Sequence, residues 1–397
     1  MKTKFLISTL LFVTATLQAE SLNLKITNSN KSEVKNAPVV VKLHNYKNIP
    51  AAKRADLAVF LNGKQICSQL DDLNKDGIQD ELVFLLDLMA GQTLPVTVKT
   101  IPANQRDSFP TEVYADLISK PKGGKMEFVQ EMSSTKNDMY NKMYHHGVAF
   151  ESALIGYRIY FDNKSTIDVY GKKKQQLELA TTEWYPTDEQ AATGYGDDII
   201  TVYDAVGVGT VKGWDGSQAT HIDKFDKRTQ RIVSTGKLRT VVESEVDGWQ
   251  YEGKKINMTV RYILYARHRD GICEVRASEN IDNLATGVQT IEGGPTMTNI
   301  KGLVGSWGKN FPVTDTVKYE KQTLGLGVYV PLFYVNKQVT EGRNNLILMP
   351  YKKGETLRFY FTAAARKELQ HPFTSSTEFF AYLKKWSNSL KPVTISN

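Results

Sequence analysis

Short runs of alternating apolar and polar residues, separated by turn-forming residues, recur from residue 22 onward and predict strands almost throughout. Five of them, at 22–26, 39–43, 57–61, 82–86 and 96–101, each have the length of one strand with short breaks between. That spacing predicts a compact β-sandwich ending between Ile101 and Pro110. Beyond it the runs lengthen, at 149–161, 165–170, 176–182, 199–203, 237–245, 256–266, 272–279, 325–330, 346–349 and 356–362. Many strands with few helical stretches between them imply large antiparallel sheets packed face to face. One helix is legible near the end: Ser375 and Glu378 have capping-box spacing, and Phe379, Tyr382, Leu383 and Trp386 fall on one stripe. The expected class is all-β, with a small N-terminal β-sandwich at 20–105 and a large antiparallel part at 106–397 that ends in the helix.

The first residues change where the protein is expected to work. Lys2 and Lys4 precede an apolar run at 5–13, and Ala19 follows, which predicts a secretory signal peptide at 1–19 and a periplasmic or secreted product. The run is too short to span a bilayer. Without Lys2 and Lys4, 48 Lys and Arg face 43 Asp and Glu, a formal +5 in place of +7. This excess suits a polyanionic ligand without requiring one. Nucleic acid is a poor fit, because the charge is scattered and no recognition helix or aromatic RNA-binding motif is present. Cys67 and Cys273 have no metal-ligand spacing; a disulfide and two separate thiols are both open.

Residues 72–81 place oxygen ligands at alternating positions around a glycine turn: Asp72, Asn74, Asp76, the carbonyl of Ile78, and Asp80, with Gly77 at the bend. This is a calcium-loop pattern, and it predicts a structural calcium ion. Val83 stands where a bidentate Glu would complete the pattern, and an acidic turn without an ion is the alternative.

Chemistry is expected around Tyr144, His145, His146 and Glu151, which run into a strand carrying Arg158. The histidines can exchange a proton near neutral pH, and Glu151 can orient one of them. If 149–161 is one regular strand, Glu151 and Arg158 point to opposite faces. Trp184 and Tyr185, with Tyr195, Asp197 and Asp198, describe a loop able to stack on a sugar ring and bond its hydroxyls. Trp214 and His221 extend that set. His44, His268 and His371 stand alone, and nucleophile-elbow, phosphate-loop, dinucleotide and zinc-protease signatures are missing.

The chain resembles a family of secreted Bacteroidetes proteins of about this length, a domain of unknown function encoded in polysaccharide-utilisation loci. The resemblance rests on the runs at 76–84, 144–147 with Glu151, 157–162, 167–172 and 194–198. The long-stranded part is also similar to the galactose-mutarotase-type supersandwich. These resemblances imply carbohydrate work but transfer no catalytic residue. Three readings stay open. One is a lyase that removes the C5 proton of a uronate in an acidic polysaccharide or oligosaccharide, with Tyr144 or His146 as base and Arg158 on the sugar carboxylate. The second is a hydrolase or epimerase using a carboxylate and His pair, such as Glu151 or Asp197 with His146 or His221. The third is a glycan-binding protein without chemistry.

Overall fold

The computed structural model describes residues 21–397 except 122, 183, 300, 314, 315, 318, 319 and 371. The stretch expected to be a signal peptide, Glu183 and His371 therefore lie outside the described residues.

The opening strands form a sandwich of five and three strands. Its larger sheet runs in the order Thr394–Ser396, Ser21–Thr27, Thr93–Thr100, Leu57–Leu61, Lys64–Ile66, and its smaller one Val34–Lys42, Glu81–Leu88, Ser68–Asp71. Alternate residues of these strands, among them Leu24, Ile26, Val41, Phe84 and Val98, close its core. The strand from the far end of the chain pairs with the first one, Lys25 opposite Ser396. A second apolar contact, Val83 with Val233, Val241, Ile263 and Tyr265, seats this sandwich on the large part.

The large part sets a nine-stranded antiparallel sheet against two five-stranded ones. One five-stranded sheet runs Asp197–Asp198, Ile167–Gly171, Ile155–Tyr160, Gly147–Ser152, Val113–Asp116, and the other contains Lys212–Trp214 and Ile281–Gln289. The core between the layers brings Phe150, Tyr157 and Val169 to the side of Tyr262, Val275 and Phe361. On the outer face of the nine-stranded sheet, Glu131, Arg231, Glu243, Arg261, Glu274 and Arg358 stand in register across six strands as an alternating charge ladder.

The helix Ser376–Ser389 lays Phe379, Leu383 and Trp386 on that same outer face. Strand glycines make the close approach possible: a Cβ on Gly325 would stand 2.6 Å from the Phe379 ring and one on Gly327 2.4 Å from Leu383. Ser375 caps the helix, accepting from the Glu378 amide at 3.2 Å, while the Glu378 carboxylate turns to Thr374 instead of the cap residue. Cys67 and Cys273 are both unpaired.

Three expected strands are different. The run at 149–161 is a hairpin, Gly147–Ser152 and Ile155–Tyr160, because Ala153 and Leu154 make the turn. The runs at 176–182 and 199–203 are irregular segments beside the site sheet, where their polar groups bond to side chains such as Glu151 and Asp198.

Candidate functional site

The hairpin reverses the parity expected for its side chains. Glu151 stands opposite Gly156 and Ala149 opposite Arg158, so Glu151 and Arg158 share a face. Register carries that face across the sheet to Tyr114, Asp116, Tyr160, Asp168, Tyr170 and Asp198. The other face holds Phe150, Tyr157, Ile159 and Val169 and is the core side. The sheet thus has one apolar face and one rich in ionisable groups, yet Glu151, Arg158, Asp168 and Asp198 are all at most 2% exposed. Trp184 and Leu179, from the segment following the strand Ile167–Gly171, pack over this polar face with Ala149 and Tyr170.

Arg158 is the centre. Its Nη2 donates to Asp168 Oδ2 at 2.6 Å and to Asp198 Oδ2 at 3.1 Å, and its Nε donates to Asp168 at 2.9 Å. The guanidinium lies 4.3 Å from the Trp184 ring centroid. Nη1 carries no hydrogen bond among the described residues. The remaining carboxylate oxygens are held by backbone, Asp168 Oδ1 by the Val169 amide and Asp198 Oδ1 by the Ile200 amide. Two half-buried tyrosines complete the set: Tyr160 donates to Asp168 Oδ2 at 2.6 Å and Tyr185 to Asp198 Oδ2 at 3.3 Å.

Electrostatics follows from two carboxylates on one cation in a dry place. Burial, and then the Asp168 charge, push Asp198 well above the carboxylate range, more than Arg158 pulls it down. Burial also raises Tyr160 and Tyr185, so both remain protonated donors. His146 stacks on Tyr140 at 3.6 Å, and its Nδ1 lies 3.0 Å from the Tyr140 carbonyl. A carbonyl can only accept, so Nδ1 carries the proton and Nε2 is left as an acceptor. Burial, then Arg158, lower His146 to about 4. His146 and Trp184 hold φ of +62° and +74°, a region bulky side chains avoid, and both flank the centre.

Of the sequence-predicted residues, Arg158, His146, Trp184, Tyr185 and Asp198 meet here. Glu151 is next door in an ion pair of its own with Lys172, its other oxygen accepting from the Glu178 and Leu179 amides at 2.8 Å each. Burial raises its pKa against the pull of Lys172. Among the described residues the Glu151 carboxylate bonds to Lys172, Glu178 and Leu179, and the expected pairing of Glu151 with His146 is not formed. His145 is buried with Nε2 3.4 Å from Asp116, and Tyr144 packs edge-on against it at 4.7 Å. Tyr195 lies 3.1 Å from the Thr181 hydroxyl, and Asp197 pairs with Lys367. Sequence reading missed Asp168, Tyr160, Tyr140 and Lys172. An Asp between Ile167 and Val169 in a strand was the available signal for the first.

His221 and Trp214 belong to another place. Lys212, from the second five-stranded sheet and 1% exposed, has its Nζ 3.0 Å from His221 Nδ1 and donates to the Lys164 carbonyl at 2.6 Å. Burial lowers Lys212 to about 7 and His221 to about 4. Trp214 packs with Val206 and Ala219 in the same sheet. In the 72–80 loop, Asp72 accepts from the Asp76 and Gly77 amides, Asp76 from the Ile78 amide and Asp80 from the Leu73 amide. Among the described residues no group of three or more Asp, Glu, His or Cys side chains converges as a metal cage.

Fold and site together define an all-β protein with a buried ionic centre on one sheet face. The chain belongs to the family described as Domain of unknown function (DUF4861), whose model matches residues 26–395. Among solved structures it is similar to a protein in the glycosyl hydrolase family 38 from Enterococcus faecalis, with 9% identity and a TM-score of 0.47, over 95% of this chain and 47% of that one. It is also similar to an alpha-mannosidase from Enterococcus faecalis, with 8% identity and a TM-score of 0.43, over 95% of this chain and 46% of that one. The chain spans about half the length of these structures. A comparison with curated proteins finds no match. Among the described residues no helix is long and apolar enough to cross a membrane.

Proposed function

We propose that this protein is an exported carbohydrate-active enzyme that performs acid–base work on a glycan at the Arg158 centre. The observation that carries the reading is Asp198, a 2% exposed carboxyl with a raised pKa that shares one guanidinium nitrogen with Asp168. Two carboxylates on one cation leave one negative charge in excess, and retaining a proton on Asp198 relieves it. A protonated acid beside a second carboxyl group is what glycosidic-bond chemistry uses. Tyr160 and Tyr185 join the two carboxyls to the half-buried side, and with Tyr140 they supply flat faces on which a sugar ring can stack.

β-Elimination from a uronate asks for an uncommitted cation over the sugar carboxylate and a base that titrates near neutrality. Arg158 is committed to two carboxylates, and His146 is held neutral down to about 4. Hydrolysis or a related acid-catalysed transfer therefore takes precedence over elimination at this centre. Calcium enters the proposal as a structural ion of the 72–80 loop, supported by its alternating oxygen side chains.

The test is to incubate the purified protein with a panel of neutral and uronate-containing oligosaccharides, following reducing ends together with the ultraviolet absorbance of an unsaturated product. New reducing ends without that absorbance are expected, with a rate at least ~100-fold lower in Asp198→Asn, the size of a lost general acid. Tyr185→Phe, which keeps the packing, should slow the reaction as well. An unsaturated product would move the assignment to a lyase. Turnover unchanged in both variants would remove the Arg158 centre from the chemistry.

A further inference from the structure

On the opposite side of the large part, a cleft of about 840 Å³ opens between the N-terminal sandwich, the outer face of the nine-stranded sheet and the C-terminal helix. A second hollow of about 570 Å³ shares Thr356, Arg358, Tyr360 and Lys391 with it, so the two form one continuous groove. Grooves at the junction of two sandwiches are favoured places for ligands. The floor is the end of the charge ladder, Arg261, Glu274 and Arg358, with Ile263, Ile272 and Tyr360 in the adjoining row. Tyr360 and Tyr329 stack at 6.3 Å and 28°, and Phe333, 79% exposed, and Tyr334 continue the aromatic line.

The charge left over on this lining is predominantly positive. Arg239, Arg261, Arg267, Arg269 and Arg358 are each neutralised by carboxylates. Lys35, Lys42, Arg276, Lys385 and Lys391 have no carboxylate at ion-pair distance among the described residues, and all five are exposed. Of the acidic lining residues Glu81, Asp270 and Glu274 are taken up by Arg239, His268 and Arg358, which leaves Glu33. Lys35 and Lys42 come from the sandwich strand Val34–Lys42, and Lys385 and Lys391 from the helix and the tail after it, so both the sandwich and the helix side contribute free cations to the lining.

We infer that this groove is a second binding site, separate from the Arg158 centre, that holds an acidic oligosaccharide chain: tyrosine faces take the sugar rings and the wall cations take carboxylate or sulfate groups. The glycan class rests on the proposed function; the anionic character rests on the lining itself. This division of labour would let an enzyme whose central Arg158 is already neutralised handle an acidic polymer, captured on one side and processed on the other.

Affinity electrophoresis and calorimetry of the full chain with polygalacturonate, alginate, heparin, a neutral galactomannan and single-stranded DNA test this. Retention by at least one acidic glycan, weakening with salt and absent for galactomannan, is expected. Lys42→Glu/Arg276→Glu/Lys391→Glu, all at exposed positions, should weaken that binding by about tenfold or more without lowering the melting temperature. Asp198→Asn should bind as the parent does, so a failure of the catalytic reading leaves this result standing and the reverse holds too. Retention of none of the acidic glycans, binding untouched by the triple reversal, or equal retention of DNA would each overturn the inference.

Discussion

Burial, and after it the positive charges of Arg158 and Lys212, holds His146 and His221 at about 4, far below the 6.5 of a free imidazole. An unfolded chain takes up protons on these groups as pH drops below 6.5, and the folded chain does not until about 4. The stability they contribute is therefore complete above 6.5 and is lost progressively down to about 4. His146→Asn, a residue that tolerates the positive φ of this position, should flatten the fall in denaturation midpoint across that window. Equal slopes for parent and variant in a pH series of urea melts would mean that other groups carry the acid sensitivity. Residue identities in the centre were partly legible: His146, Arg158, Trp184, Tyr185 and Asp198 all stood out by type and clustering. Asp168 and Tyr160 did not, because their importance comes from which strand lies next to Arg158, and that is fixed by register.

Hairpin parity is where sequence reading and structure part at the level of elements. The apolar-rich run from 149 to 161 hides a turn made by Ala153 and Leu154, two residues with no turn signature, and the turn puts Glu151 and Arg158 on one face. The segment that follows residue 171 was also misread as strand in part; its Thr187 capping box and the short helix Asp188–Ala192 are local features that sequence spacing does contain. The 72–80 loop is the reverse case, a local pattern whose turn is realised, with Lys75 and Gly77 both at positive φ. Its carboxylates already accept backbone amides, so an ion would have to use their remaining lone pairs. Millimolar calcium should raise the melting temperature of the parent, and Asp76→Asn should abolish the rise; no shift in the parent would make the loop an ion-free turn.

At the scale of the whole molecule the two sandwiches were legible as two length classes of strand, but their joining was not. The chain's last strand pairs with its first, and a strand edge docks by side chains: Gln69 accepts from the Leu238 and Arg239 amides at 2.7 and 2.9 Å and returns a bond to the Arg239 carbonyl. Arg239, 2% exposed, crosses the junction to Asp71 and Glu81 at 2.6 Å each. None of these partners is near in sequence, and long-range polar pairing leaves no periodic trace. Because the junction buries ions as well as Val83 against Val241 and Ile263, the sandwiches should unfold together in one calorimetric transition. Arg239→Met would leave Asp71 and the half-buried Glu81 without their counter-charge, a loss of about 3–5 kcal/mol by the usual size of a broken buried pair. The expected thermogram then splits, with the smaller sandwich melting first. A single transition at the parent temperature would show that the apolar contact alone holds the junction, and the groove that lies along it would not depend on Arg239 for its shape.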